Sequence, residues 1–311
     1  MKILKTLGNT GLRCSAIALG TVEIGLDYGI PSDQNIKRPD EADAIRFLNQ
    51  ALDLGVNLID TAQVYGRSED LIGQALKGRR QEYLLATKLA PITATDLEDE
   101  ACLRVKVRES VENSLRCLRT DYVDVLMLHS ATLEVVMKGE VLIQLLREQQ
   151  RQGTARFVGA SVYEGAGVAA VSCGGFDIVQ IGYSALDRSP EHAMLPLAKA
   201  KGVGVVARSV LLKGALTPRY HSLPQELSDV KEAAGQLDSL AREAGLTLVE
   251  LAYRYLLSEE VVPLCGTARI SELQEVWAYA KRGPLNEDLV SAIRLIEIQD
   301  KRLLHPGSWP F

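Results

Sequence analysis

The hydrophobic residues of this chain follow a helical spacing in many stretches. Residues 44–52 carry apolar side chains every three or four positions, which predicts one buried helix face ending near Gly55. Ser68 is predicted to cap a second helix, and the acids Glu69 and Asp70 after it suit the positive end of a helix dipole. Further helices are predicted over residues 107–118, 134–151, 163–172, 190–200, 248–256 and 271–280.

Short runs of valine, isoleucine and leucine separate these helical stretches. Most of the runs lack a polar–apolar alternation, as is typical of parallel strands that are covered on both faces. Eight such runs between helices favour a closed (β/α)8 TIM barrel over an open sheet. The predicted strands are residues 16–19, 57–60, 84–87, 123–128, 156–160, 177–181, 203–207 and 261–265.

Several segments fall outside the eight repeating units. Lys5–Leu7 and Leu12–Cys14 flank a Gly-Asn-Thr-Gly turn, which predicts an N-terminal β-hairpin that plugs the amino end of the barrel. Residues 26–40 predict a long loop on the opposite rim, and residues 212–243 and 284–298 predict additions to the barrel. Because no change of composition marks a linker, all 311 residues are predicted to form one domain.

The composition argues against several classes of protein. A net charge of −5 gives no reason to expect a nucleic-acid partner. No uninterrupted apolar run reaches membrane-spanning length, and the first residues do not predict a signal peptide. The five cysteines are scattered and fit neither a disulfide framework nor a zinc spacing, so we expect no metal and a reduced, cytoplasmic setting.

Three consecutive predicted strands lead into ionisable residues. The second ends on Asp60, the third leads to Lys88 and the fourth to His129, while Tyr65 follows Asp60 by five positions. The carboxyl ends of barrel strands form the rim that carries the chemistry of barrel enzymes. Since neighbouring strands lie about 5 Å apart, we expect these four side chains to meet as a catalytic group.

Tyr65 is the predicted proton donor to a carbonyl oxygen. A free phenol has a pKa near ~10, and a nearby ammonium lowers it toward the working range of an acid catalyst. Lys88 would supply that ammonium, Asp60 would keep it charged, and His129 would orient the substrate oxygen. Taken singly, each residue is explained as well by a turn, by packing or by a solvated strand end. Lys88 is also a candidate Schiff-base amine in a barrel isomerase or aldolase.

The motifs around these residues resemble the aldo-keto reductase family from about Leu7 to Glu275. The resemblance implies reversible hydride transfer between a nicotinamide cofactor and an aldehyde, ketone or sugar-like alcohol, with Tyr65 as general acid and base. It favours NADP(H), with NAD(H) as the alternative. The matching segments are Leu7-Gly-Asn-Thr-Gly-Leu12, Gly20-Thr21, Asp60-Thr-Ala-Gln-Val-Tyr65-Gly with Ser68-Glu69, Thr87-Lys88, Asp121-Tyr-Val-Asp124 before His129, Val158-Gly-Ala-Ser161, Gln180, and Gly266-Thr267 with Leu273 and Glu275.

The resemblance also implies a cofactor site along the same rim. Gly20, Thr21 and Asp60 would flank the nicotinamide and its ribose, and Ser161 and Gln180 would hold the carboxamide. The two glycines at positions 214 and 266 are explained equally well by turn geometry. The residues implied for the pyrophosphate and adenosine are Arg208, Ser209, Leu211, Gly214, Gly266, Thr267, Ala268, Arg269 and Glu275.

Four positions depart from the family pattern. Val162 replaces an asparagine that holds the carboxamide in many members, and Arg208 replaces an aromatic that stacks on the nicotinamide, a role open to a planar guanidinium. Glu272 and Val276 replace polar or basic residues near the adenosine. Glu272 would repel a 2′-phosphate, whereas Arg269 would compensate. The residues after His129 include no aromatic, which predicts a polar or open substrate pocket.

A second hypothesis places the chain in a different class of protein. It keeps the cofactor site but makes the chain a regulatory or redox-sensing subunit with little turnover. The predicted partner is a small carbonyl or alcohol in the first hypothesis and the nicotinamide cofactor in both. Tight cofactor binding without turnover of any carbonyl compound would distinguish the second hypothesis from the first.

Overall fold

A closed barrel of parallel strands forms the centre of the molecule. The computed structural model describes residues 4–30, 37–163 and 165–309. Within them each barrel strand pairs in parallel with the next along the chain, and the last pairs with the first. The predicted (β/α)8 TIM barrel is confirmed. Its strands are β3 (Ala18–Gly20), β4 (Leu58–Asp60), β5 (Leu84–Lys88), β6 (Val123–Ala131), β7 (Ala155–Val162), β8 (Ile178–Gly182), β9 (Gly204–Arg208) and β10 (Val262–Gly266).

Helices connect the strands and cover the outside of the barrel. Several begin where the sequence supplies a cap: the side chains of Asp40, Asp99 and Thr247 each accept a hydrogen bond from a backbone N–H in the first turn of the following helix. The helices are α1 (Val22–Gly25), α2 (Glu41–Leu54), α3 (Ser68–Ala75), α4 (Glu100–Leu118), α5 (Leu133–Lys138), α6 (Glu140–Gln152), α7 (Ala166–Ser172), α8 (Met194–Lys201), α9 (Ser228–Glu243), α10 (Leu248–Leu256), α11 (Ile270–Arg282) and α12 (Glu287–Arg294).

The predicted N-terminal hairpin closes the amino end of the barrel. Strands β1 (Leu4–Thr6) and β2 (Arg13–Ser15) pair antiparallel. Leu7, Leu12 and Cys14 are buried in one cluster with the apolar side chains that fill the barrel. The hairpin therefore supplies the lower part of the interior core.

The alternation of side chains along each strand determines which residues reach the cavity. Inward residues such as Leu58 and Ala86 form the interior cluster, whereas their outward neighbours pack against the helices in a second, larger core. Because successive side chains in a strand point to opposite faces, the residue two positions further on also points inward. Asp60 follows Leu58 in this way, and Lys88 follows Ala86. The interior thus changes from apolar to polar at its carboxyl rim.

The structure corrects several predicted boundaries. The predicted helix over residues 134–151 is two helices, α5 and α6, with Gly139 between them. Ser68 is not a helix cap but the first residue of α3, and its hydroxyl hydrogen-bonds to Thr61 and Thr21. The additional segments contain α9 and α12, while part of the predicted loop, residues 31–36, lies outside the described residues.

Every helix among the described residues is too short or too polar to cross a lipid bilayer. The organisation of the whole chain as one domain stays a prediction.

Candidate active site

A buried charged network lies at the carboxyl rim of the barrel. The Nζ of Lys88 donates hydrogen bonds to Asp60 Oδ2 at 2.7 Å and to the Thr61 carbonyl at 2.8 Å. Gln180 Nε2 donates to the other oxygen of Asp60 at 2.8 Å. Lys88 is fully buried, and Asp60 and Gln180 are only 3% and 1% exposed. The charges of this pair are therefore compensated within the protein, as buried charges require.

The buried ammonium of Lys88 remains protonated. Burial alone lowers its pKa, but the Asp60 carboxylate and Tyr65 outweigh that effect and raise the pKa above its usual value. A Schiff-base lysine needs a neutral amine that reaches the substrate. Lys88 is instead charged and enclosed, which argues against the isomerase or aldolase hypothesis.

Tyr65 lies directly beside this ammonium. The Nζ of Lys88 is 5.0 Å from the centre of the Tyr65 ring. Thr21 ties together the two ends of the Tyr65 turn, the end of β4 and the start of α3: the Thr21 hydroxyl donates to the Asp60 carbonyl at 2.8 Å, and the Ser68 hydroxyl donates to the Thr21 hydroxyl at 2.8 Å. The phenol is thus held over the Lys88–Asp60 pair by the same strand ends that carry the pair.

Helix α1 packs against the turn of Tyr65 through two glycines. A Cβ atom at Gly25 would lie 1.8 Å from the Tyr65 carbonyl oxygen, and one at Gly66 would lie 2.5 Å from the Gly25 carbonyl oxygen. Gly66 also has a φ of 57°, which disfavours residues with a side chain. The sequence analysis missed Gly25, although the need for close backbone approach is a physical reason for a glycine there.

His129 reaches the cavity through an irregularity in its strand. Strand β6 continues to Ala131, beyond the predicted end at residue 128, and its register with β7 shifts between Leu128 and Ala131. Within that bulge Ser130 has a φ of 50°. A β-bulge commonly redirects a side chain beside an active site. The His129 ring meets the Tyr65 ring edge-on, with centres 5.9 Å apart and planes at 86°.

The imidazole of His129 is neutral at physiological pH. Burial, followed by the positive charges of Lys88 and Arg208, lowers the pKa of His129 to about 4. Its Nδ1 is a buried side-chain atom without a hydrogen-bond partner among the described residues. A neutral ring with a free nitrogen at this position can bind a substrate oxygen without transferring a full charge.

The predicted site residues share one cavity of about 550 Å³. Lys88 lies outside its lining as a buried residue behind Asp60 and Tyr65, and Ala268 faces a neighbouring depression instead. The predicted residues that line the cavity are Gly20, Thr21, Asp60, Tyr65, His129, Ser161, Gln180, Arg208, Ser209, Leu211, Gly214, Gly266, Thr267, Arg269 and Glu275.

Two tyrosines that the sequence analysis did not select line the same cavity. Tyr28 comes from the loop after α1, and Tyr163 follows β7; they are 40% and 42% exposed. Arg208 lies 4.7 Å over the ring of Tyr163 and donates a hydrogen bond to the Val162 carbonyl at 3.0 Å. Aromatic side chains therefore reach the cavity from other loops than the one after His129, and the polar or open character of the pocket stays a prediction.

The far end of the cavity is acidic as well as basic. Glu272, in the first turn of α11, accepts hydrogen bonds from the Thr267 hydroxyl and the Arg269 guanidinium. Glu23, on α1, also lines the cavity, although the sequence analysis did not select it. Arg269 was predicted to offset the repulsion between Glu272 and a 2′-phosphate. In this structure its guanidinium is instead paired with the carboxylate of Glu272 itself.

Comparison with known proteins identifies the family. A sequence model described as the Aldo/keto reductase family matches residues 16–298. The chain belongs to the aldo-keto reductase family. L-galactose dehydrogenase of Arabidopsis thaliana is 30% identical over 295 residues, which cover 88% of this chain and 86% of that protein. Aldo-keto reductase YhdN of Bacillus subtilis (strain 168) is 30% identical over 280 residues, covering 82% and 81%.

A solved structure of the family has the same architecture. The holo form of aldo-keto reductase AKR11C1 from Bacillus halodurans superposes with a TM-score of 0.77 at 27% sequence identity, covering 97% of this chain and all of that one. The oxidoreductase family inferred from the Asp60, Tyr65, Lys88 and His129 motifs is confirmed.

The residues of the cavity are chemically suited to a nicotinamide dinucleotide. The buried, unpaired Nδ1 of His129 leaves a polar atom for a ligand. Ser161 and Gln180 bring a hydroxyl and an amide to the same rim. The N-terminus of α11 also borders the cavity, and a helix N-terminus attracts phosphate groups.

Proposed function

We propose that this protein is an NAD(P)-dependent oxidoreductase that reduces an aldehyde or ketone, or oxidises the corresponding alcohol. One observation carries the proposal: a phenol, a buried ammonium–carboxylate pair and a neutral imidazole converge at one end of a cavity. The family consists of oxidoreductases that use nicotinamide cofactors, and its model matches nearly the whole chain.

Tyr65 moves the proton in this mechanism. In reduction, its hydroxyl donates a proton to the carbonyl oxygen as negative charge develops there. The charged ammonium of Lys88 beside the ring favours the resulting phenolate. In the reverse direction the phenolate accepts the proton of the alcohol. Asp60 keeps Lys88 charged, so the phenolate always has a cation beside it.

His129 orients the substrate oxygen rather than acting as the acid. Its pKa of about 4 leaves no proton to give from an imidazolium at neutral pH. A neutral imidazole N–H directed at the carbonyl oxygen fixes the position of that oxygen relative to Tyr65. The bound cofactor supplies the hydride. Ser161 and Gln180 would hold its carboxamide, and Thr267 and the N-terminus of α11 a phosphate.

A small polyhydroxy carbonyl or alcohol is the favoured class of substrate. The relative from Arabidopsis thaliana is named as a dehydrogenase of a sugar, L-galactose. The cavity offers hydrogen-bonding groups of Ser130, Arg208 and Ser209, and the rings of Tyr28 and Tyr163, at its entrance. Polar groups beside aromatic rings suit a sugar-like molecule with hydroxyls on one face and C–H groups on the other.

Replacement of the Tyr65 hydroxyl tests the proposal. Tyr65→Phe should reduce kcat by about 10²–10⁴-fold, the usual contribution of a general acid. Binding of the reduced cofactor, measured by fluorescence titration, should stay within about twofold because the ring remains in place. Tyr122→Phe removes a hydroxyl near Gln81, away from the cavity, and is the matched control.

Two outcomes would contradict the proposal. Retained turnover in Tyr65→Phe would exclude the phenol as the acid. Tight cofactor binding without turnover across a broad panel of aldehydes, ketones and sugars would instead favour the regulatory or redox-sensing hypothesis.

A further inference from the structure

Two carboxylates line the cavity beside the end of β10. Glu272 belongs to α11, and Glu23 belongs to α1. The end of β10 approaches both of them: a Cβ atom at Gly266 would lie 3.5 Å from Glu23 Oε1, and the next residue, Thr267, donates a hydrogen bond to Glu272. A group that enters this part of the cavity therefore meets both acids.

This is the end where the adenosine half of a dinucleotide would lie. The nicotinamide must contact the substrate beside Tyr65, so the other half of the cofactor extends away from that residue. The cavity continues toward β10 and the N-terminus of α11. In barrel enzymes the loops after the last two strands commonly hold phosphate groups. The position of the adenosine rests on the proposed function.

The two carboxylates interact electrostatically. Burial and, next, the charge of Glu272 raise the pKa of Glu23 to about 7, against the opposing effect of Arg269 and Arg219. Near neutral pH this carboxyl is thus already difficult to ionise beside Glu272. Another anion placed between them would increase the same repulsion.

Of the two arginines whose charges act on Glu23, Arg269 is already paired. Arg269 makes an ion pair with Glu272, whose other oxygen accepts the Thr267 hydroxyl. A phosphate that recruited Arg269 would have to break this pair and leave Glu272 facing the phosphate. The predicted preference for NADP(H) depended on compensation by Arg269, and that arginine is engaged.

We propose that Glu272, assisted by Glu23, makes this enzyme select NAD(H) over NADP(H). The 2′-phosphate of NADP(H) carries about −1.5 to −2 charges at pH 7 and would be repelled by the carboxylate of Glu272, and by Glu23 to the extent that Glu23 is ionised. The free ribose hydroxyls of NAD(H) can instead donate hydrogen bonds to a carboxylate, the interaction by which acidic residues commonly recognise NAD. Glu272 is thus a specificity-determining residue, reversing the preference expected from the family resemblance.

Fluorescence titration with NADH and with NADPH, in separate experiments, tests this selection. The wild-type protein should bind NADH at least about tenfold more tightly. Glu272→Gln removes the charge, keeps the shape and releases Arg269. The ratio of the NADPH dissociation constant to the NADH dissociation constant should fall by about tenfold in this variant, mainly through tighter NADPH binding. Glu23→Gln should lower the same ratio of dissociation constants by about threefold.

Glu287→Gln is the matched control because it makes the same charge change on α12, at an exposed position. It should leave both dissociation constants as in the wild type. Tighter binding of NADPH than NADH by the wild type, or an equal effect of Glu272→Gln on both, would overturn the selection while leaving the proposed function intact. Failure of either dinucleotide to bind would refute the proposed function and this inference together.

Discussion

The two ends of the cavity hold their charges in different ways. At the catalytic end the Lys88 and Asp60 side chains are 0% and 4% exposed. At the far end Arg269 and Glu272 form a similar pair, but their side chains are 40% and 41% exposed. Charge interactions are strong and costly to break in the protein interior, whereas exposed pairs are weakened by water and salt.

This difference separates two functions of the same cavity. The Lys88–Asp60 pair is fixed by the barrel, because the loss of either member leaves a buried charge without its partner. The selection of a cofactor depends on side chains that water can partly solvate. We therefore expect substitutions at the far end to change binding preference at little cost in stability, and the loss of one member of the Lys88–Asp60 pair to damage the fold.

The largest effect should come from removing the buried ammonium. Lys88→Met should lower the free energy of unfolding by about 3–5 kcal/mol, because it leaves the Asp60 carboxylate buried without its cation. Arg269→Met should cost less than about 1 kcal/mol, because the partner carboxylate of that pair is partly solvated. Urea denaturation without cofactor measures both.

A double substitution checks the cause of that loss. Lys88→Met combined with Asp60→Leu removes both charges and should recover part of the stability lost in Lys88→Met. Equal losses of unfolding free energy in Lys88→Met and Arg269→Met would show that the two ion pairs contribute equally to stability.

The second effect is a loss of stability at low pH that originates at the catalytic end. The pKa of His129 is about 4 in the folded protein and near 6.5 in an unfolded chain. Between these values the unfolded state binds more protons, so stability falls as the pH drops from about 6.5 toward 4. His129→Gln should remove about 1–3 kcal/mol of this loss at pH 4.5, since one pKa unit corresponds to ~1.36 kcal/mol.

Denaturation of the wild type and of His129→Gln at pH 4.5 and 7.5 measures the effect. Relative to the wild type, the free energy of unfolding of the variant should increase only at pH 4.5. Parallel pH dependences would mean that His129 is as easily protonated in the folded state as in the unfolded one.

A smaller effect of opposite sign should come from the far end. The pKa of Glu23 rises from 4.5 to about 7 on folding, and the groups that face it are Glu272, Arg269 and Arg219. The folded state therefore binds more protons between these values, and stability is lost as the pH rises through them. Glu23→Gln should raise the Tm by about 2–4 °C at pH 8, as expected for about 1 kcal/mol, and by less at pH 4.5.

Thermal denaturation at the two pH values gives this comparison, with Glu287→Gln as the control for a simple change of net charge. A Glu23→Gln variant whose Tm differs from the wild type equally at pH 4.5 and pH 8 would show that folding does not raise the pKa of Glu23.

The smallest effect is that of salt. Raising the NaCl concentration from 0.05 to 0.5 M should reduce the ratio of the NADPH and NADH dissociation constants by about two- to threefold, because partly exposed charges are screened. The loss of unfolding free energy in Lys88→Met should not change with salt, because the Lys88–Asp60 pair is enclosed by the protein. Titrations and urea denaturation at both salt concentrations test the contrast, and a salt-insensitive ratio would argue against a charge effect at Glu272.

The amino-acid sequence by itself determined the barrel and the chemistry at its rim. Apolar runs without alternation predict buried strands wherever they occur, and Asp60 and Lys88 were placed correctly because each ends such a run. The i, i+3 spacing of Arg269, the residue before α11, and Glu272 in its first turn likewise allows a pair that needs no information from the rest of the fold.

Only the tertiary structure decided how distant segments meet. The bulge that turns His129, the contact of Gly25 with the Tyr65 turn, and the arrival of Tyr28, Tyr163 and Glu23 at the cavity depend on barrel closure and loop conformation. No periodic pattern in the local sequence predicts these features, because they arise from contacts between residues far apart in the chain. The same is true of the two carboxylates beside the end of β10, which belong to helices at opposite ends of the sequence.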